Sequence, residues 1–149
     1  MAGLYIHVPF CQKRCLYCDF YSNTDMGYQE AYLSALIREM ELRKNYLEGE
    51  TLETIYFGGG TPSQLSVENL NRIFEAIYQH FPVNQDMEIT LEANPDDMTP
   101  AYVAALRTLP VNRISMGVQS FDAADLKFLN RRHDREEALR AVRLCQEHN

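Results

Sequence analysis

The sequence predicts an α/β fold in which four strand–helix units form the amino-terminal part of a partial, TIM-like barrel with a parallel sheet. Three observations predict it. Apolar spacing switches between the strand period and the helical period four times along the chain. Each strand alternates apolar with polar residues, so the sheet has one polar face, whereas strands of a doubly wound sheet are apolar on both. The unusual residues gather at strand carboxyl ends, where parallel α/β sheets bind ligands.

The elements follow in order. Leu4 to Val8 is a short strand, with Leu4, Ile6 and Val8 opposing Tyr5 and His7. A cysteine-rich loop follows it. From about Gln29 to Leu47, Leu33, Ile37 and Met40 with Tyr32 and Leu36 form one apolar helical stripe. Thr54 to Phe57 is the second strand and runs into Gly58-Gly59-Gly60-Thr61-Pro62. Ser66 caps the second helix, with Leu65 and Leu70 placed as a hydrophobic staple. Met87 to Glu92 is the third strand, and Thr99-Pro100 opens the third helix. Asn112 to Gln119 is the fourth strand, in which Arg113 is placed to pair with Glu88 low in the lumen. After a short helix near 123–129, Asp134 and Glu137 form a capping box that starts the last helix.

Composition narrows the function classes. The 149 residues fit one domain. The net charge of −7 argues against a phosphate-tracking nucleic-acid surface. No apolar run approaches the roughly 20 residues needed to span a bilayer. With only four cysteines and no signal peptide, a disulfide framework is disfavoured, and a reducing, cytoplasmic setting is expected. Cys145 shares a helical face with Ala138, Ala141 and Val142 and is expected to be a small core residue.

Cys11, Cys15 and Cys18 are spaced Cys-x-x-x-Cys-x-x-Cys. Three thiolates in so short a loop can hold three corners of an iron–sulfur cluster, leaving the fourth iron open to a small molecule. A zinc-stabilised interaction domain is the competing reading, with His7 completing a Cys3His set. Glycine triplets are most often turns, and Gly58-Gly59-Gly60 lacks the spacing of a dinucleotide fingerprint. Its interest lies in sharing the cysteine rim with Glu92 and Gln119.

Taken together, Tyr5 to Cys11, the cysteine loop, Gly58 to Pro62, Glu92 and Ser115 to Phe121 resemble the radical S-adenosylmethionine superfamily. Within it they are similar to the branch of oxygen-independent coproporphyrinogen III oxidase and its haem-chaperone relatives. The resemblance implies a 4Fe–4S cluster on Cys11, Cys15 and Cys18, with the methionine end of S-adenosylmethionine on its open iron. One electron then cleaves the sulfonium bond to give a 5′-deoxyadenosyl radical. By the same resemblance Tyr5, Tyr17, Gly59, Gly60, Thr61, Glu92, Gln119 and Arg131 line the cofactor, and His7 supports the cluster loop. Arg131 also has a plainer reading, as a solvated surface charge beside Arg132.

The implied partners are S-adenosylmethionine, an electron donor, and haem or a porphyrinogen. The oxidase type carries a further cysteine two residues after the third, where this chain has Phe20. That departure favours a haem-chaperone-like protein of porphyrin and haem metabolism, with coproporphyrinogen oxidase as the alternative. The resemblance also implies that residues 1–149 are a truncated domain, with a cluster loop over about 9–22. Two barrel strands, a carboxyl-terminal domain and any haem site would be absent, leaving a chain that is inactive alone and prone to self-association.

Overall fold

The computed structural model of the protein describes residues 2–147. Strand β1 spans Ala2–Val8, β2 Leu52–Gly59, β3 Val83–Ala93 and β4 Arg113–Met116. All pairings are parallel and the order is β1-β2-β3-β4. Each crossover carries a helix: α1 (Gln29–Arg43), α2 (Val67–His80) and α3 (Pro100–Leu106). After β4 come a short α4 (Ala123–Phe128) and then α5 (Arg135–Glu147). Sequential order without a switch point is the wall of a barrel rather than an open doubly wound sheet.

Register sorts the two faces. Ile6, Phe57, Leu91 and Ile114 lie side by side across the four strands and face the helices. Ile6, Phe57 and Leu91 are fully buried, as are Leu70, Ile73, Phe74 and Ile77 of α2. Phe57 meets Phe74 edge to face, with ring centroids 5.3 Å apart. The neighbouring row, Tyr5, Tyr56, Thr90 and Arg113, runs along the polar face. Arg113 Nη1 lies 3.3 Å from Glu88 Oε1, forming the expected lumen pair.

Helix starts follow their local sequence. Ser66 Oγ accepts the Asn69 N–H at 3.1 Å, and Leu65 and Leu70 are buried on either side of that cap. Thr99 Oγ1 accepts the Tyr102 N–H with Pro100 at the first turn. Asp134 and Glu137 exchange backbone and carboxylate bonds at 2.8 and 2.9 Å, the predicted capping box.

Strands β1 and β2 each begin two residues before their expected starts, and four further expectations need correction. Helix α1 ends at Arg43 rather than Leu47, because the chain turns through Glu48 and Gly49, both with positive φ. Strand β3 begins earlier, at Val83, since Leu52 of β2 pairs with it there. Strand β4 stops at Met116 instead of reaching Gln119. The Gly117 N–H still bonds the Ala93 carbonyl, but Val118 and Ser120 then bond carbonyls only two residues back. That tight path leaves Gln119 at φ +68°. Cys145 is half-buried rather than in the core, because α5 buries only Ala138 and Ala141. Partial burial still pushes its thiol above the ordinary range. Among the described residues no helix is long and apolar enough to cross a membrane.

Candidate metal and cofactor site

The loop after β1 is held at its base and its outer side. Phe10 bridges Asn23, and the Cys11 N–H donates to the Asn23 carbonyl at 3.0 Å. On the far side, the Leu16 N–H donates to Leu129 O, and Asn130 Nδ2 donates to Arg14 O at 2.8 Å. These ties deliver Cys11, Cys15 and Cys18 to one cavity of about 330 Å³ at the carboxyl ends of the strands. Tyr17, Gly59, Gly60, Thr61, Glu92, Gln119 and Arg131 line the same cavity. Tyr5 lies outside that lining, 56% exposed on the polar face.

Cys11 is the buried member of the three. Burial is the main force raising its thiol, and the Cys18 and Cys15 sulfurs add to it. The Thr61 hydroxyl, 3.5 Å from Cys11 Sγ, opposes the rise. Clustered thiols of this kind suit a cationic metal centre, which deprotonates the thiols that bind it. Among the described residues, no three His, Cys, Asp or Glu side chains gather tightly enough for a single ion. The three sulfurs nevertheless share one cavity.

His7 is fully occupied elsewhere. Its Nε2 is 3.0 Å from the Tyr21 carbonyl, which can only accept, so Nε2 carries the proton. Nδ1 then accepts from the Tyr5 hydroxyl at 3.1 Å. The histidine therefore braces the cysteine loop and offers no fourth ligand. Tyr5 stacks on Tyr56, whose hydroxyl donates to Glu92 Oε1 at 2.7 Å. The Gly59 N–H donates to Glu92 Oε2 at 3.2 Å. A relay of side chains thus runs from the cysteine loop across three strands to Glu92.

Arg131 is no solvated surface charge. One terminal nitrogen donates to Asn94 Oδ1 at 2.7 Å and to the Gly117 carbonyl at 2.6 Å. The other lies 3.2 Å from Cys15 Sγ and 3.4 Å from the Tyr17 hydroxyl. Arg132, by contrast, turns to Asp96 and Asp97 at 2.5 and 2.7 Å. Asp97 also accepts from Ser63 and Gln64, tying the glycine loop to the exit of β3. His133 Nε2 donates to the Val118 carbonyl at 3.0 Å from a buried position. Sequence reasoning missed Tyr56, Asn94, Asp97, Arg132 and His133. Asn94 alone carried a signal, two residues beyond Glu92 in Glu92-Ala93-Asn94-Pro95.

The fold is a four-stranded parallel α/β wall with a thiol-lined pocket at the carboxyl ends of its strands. The chain belongs to the radical SAM superfamily, whose family model matches residues 5–149. It is 39% identical over 145 residues to the heme chaperone HemW of Escherichia coli K12, covering 96% of this chain and 38% of that protein. It is 38% identical over 142 residues to the mouse mitochondrial radical S-adenosyl methionine domain-containing protein 1, covering 95% of this chain and 32% of the other. The solved structure of coproporphyrinogen III oxidase (HemN) from Escherichia coli, a radical SAM enzyme, superposes with a TM-score of 0.89 at 31% identity. That match covers 97% of this chain and 34% of the oxidase. The chain therefore spans about a third of the length of the proteins it matches.

Proposed function

We propose that this chain is the cluster- and S-adenosylmethionine-binding part of a haem-chaperone-like protein of porphyrin and haem metabolism. The observation that carries this reading is the convergence of Cys11, Cys15, Cys18, the glycine loop, Glu92 and Gln119 on one cavity. When bound on the three thiolates, a 4Fe–4S cluster would supply one low-potential electron and an open iron, which together break the sulfonium carbon–sulfur bond of S-adenosylmethionine. The chain's own residues hold and shield the reactants. Gly60 lets its backbone approach the Cys11 sulfur, where a Cβ would stand only 3.1 Å away. Glu92, oriented by Tyr56 and Gly59, presents a carboxylate suited to an ammonium group or ribose hydroxyls. Thr61, Gln119 and Arg131 add donors on the cavity wall, Tyr17 an aromatic surface, and Tyr5 fixes His7 from outside.

Haem or a porphyrinogen is the second partner in this reading, and an external electron donor the third. Their proteins' names support the haem connection, since the relatives include haem chaperones and a coproporphyrinogen oxidase. Phe20 stands on the cavity lining where the oxidase-type motif has its extra cysteine, which favours the chaperone reading over the oxidase. We read residues 1–149 as the amino-terminal part of a longer cytoplasmic protein, inactive alone, in keeping with its share of its relatives' length.

Anaerobic iron–sulfur reconstitution tests the reading. The expected product is brown, with broad visible absorbance lost in Cys11→Ala, Cys15→Ala and Cys18→Ala. In the full-length protein, 5′-deoxyadenosine release under dithionite with haem binding, but without coproporphyrinogen turnover, supports the chaperone. Turnover would restore the oxidase. A colourless protein with stoichiometric zinc would overturn the cluster assignment.

A further inference from the structure

We propose that Arg131 tunes the metal centre: its guanidinium hydrogen-bonds the Cys15 sulfur and so favours the reduced state of a cluster held there. The inference rests on the reading of Cys11, Cys15 and Cys18 as cluster ligands. An added electron makes such a cluster more negative. A cation donating an N–H to a ligand sulfur stabilises the more negative state, and hydrogen bonds to sulfur and local charge are established levers on cluster potential. Arg131 is the residue whose geometry supplies both, with Nη1 3.2 Å from Cys15 Sγ.

Its placement is set by two anchors outside the cysteine loop. Nη2 is pinned by Asn94 at the end of β3 and by the Gly117 carbonyl at the end of β4. A side chain locked by two such anchors loses little freedom in reaching a third group. The Nε atom is buried without a partner, so the guanidinium sits where water screens it poorly. Lys13 and Arg14 are closer in sequence to Cys15 but exposed, and solvent weakens their influence. Arg132 cannot substitute, because Asp96 and Asp97 hold it on the other side of the segment.

The test is an anaerobic redox titration of the reconstituted full chain, followed by electron paramagnetic resonance at fixed pH without S-adenosylmethionine. Arg131→Gln is expected to shift the reduction equilibrium about tenfold toward the oxidised state, or 59 mV for a one-electron couple. Arg131→Lys, which keeps the charge but loses the fork, should recover part of that shift. Asn94→Ala removes an anchor while leaving the guanidinium, and should move the equilibrium less than Arg131→Gln. A Gln variant with full iron and sulfide content and an equilibrium within about threefold of the parent would overturn the proposal. So would an Asn94→Ala shift as large as that of Arg131→Gln, which would mark a merely structural tie. Should Arg131→Gln take up no cluster, Arg131→Lys decides: a shift in the same direction supports the role and none refutes it. If the parent itself takes up no cluster, the ligand reading fails and this inference fails with it.

Discussion

At Gly60 the backbone passes so close to its neighbours that a side chain has nowhere to go. A Cβ there would lie 2.9 Å from the Phe10 and Val8 carbonyl oxygens and 3.1 Å from Cys11 Sγ. Those carbonyls cannot retreat, since the Gly60 N–H itself bonds Val8 O at 2.8 Å. Gly60→Ala should therefore destabilise the fold by about 1–3 kcal/mol and reduce iron uptake on reconstitution. Gly117→Ala is the comparison, because its nearest neighbours are the ends of Gln119 and Arg131 at 3.3 and 3.5 Å. Urea unfolding checks both; equal midpoints for the two variants would refute the close-approach argument. The residues legible in the sequence were those whose type is itself chemical, such as the three cysteines and the glycine triplet. Tyr56 was not, because a tyrosine on a polar strand face has no assigned partner until the register sets it opposite Thr90, one same-face position from Glu92.

Among the elements, the short segment 131–133 does most to shape the site. Arg131 and His133 reach the Gly117 and Val118 carbonyls, and Arg132 reaches the acidic pair after β3. This clasp holds the turn that presents Gln119 at positive φ. Asp96 pays in protonation for its position, since burial raises its carboxyl despite Arg132. His133 is depressed, first by burial and then by Arg131, while the Val118 carbonyl, Asp96 and Glu137 pull the other way. A histidine with a folded pKa below its unfolded value of about 6.5 contributes stability above that pH. The contribution is lost as pH falls from there through the folded value. Thermal melts from neutral pH downward should thus show a steeper loss for the parent than for His133→Gln, whose amide can still donate to Val118. Parallel curves would show that His133 does not titrate with folding. The strand–helix rhythm and the starts of α2, α3 and α5 were legible because caps and periodicity are local. The end of β4 was not, because apolar alternation continues through Val118 while the clasp, formed by residues far along the chain, bends the backbone away.

For the whole molecule, the decisive feature is a parallel sheet with two edges. Among the described residues, strands β1 and β4 are both terminal in the order, so each carries a row of backbone groups without a strand partner. Exposed edges invite pairing with another chain. At β4 the invitation is stronger, because Ile114 and Met116 are only half-buried and lie beside Cys145 and Val142. The net charge of −7 opposes association of like chains, a repulsion that salt screens within about 8 Å at physiological ionic strength. The 149-residue chain is therefore expected to self-associate through the β4 edge, more strongly as salt rises from low to moderate levels. Sedimentation velocity across a range of concentrations checks this, and Ile114→Lys, which places a charge on the edge, should restore the monomer. Association that weakens with salt would indicate ion pairing instead of edge pairing. A monomer at every concentration would show that the twist and short length of β4 protect the edge unaided.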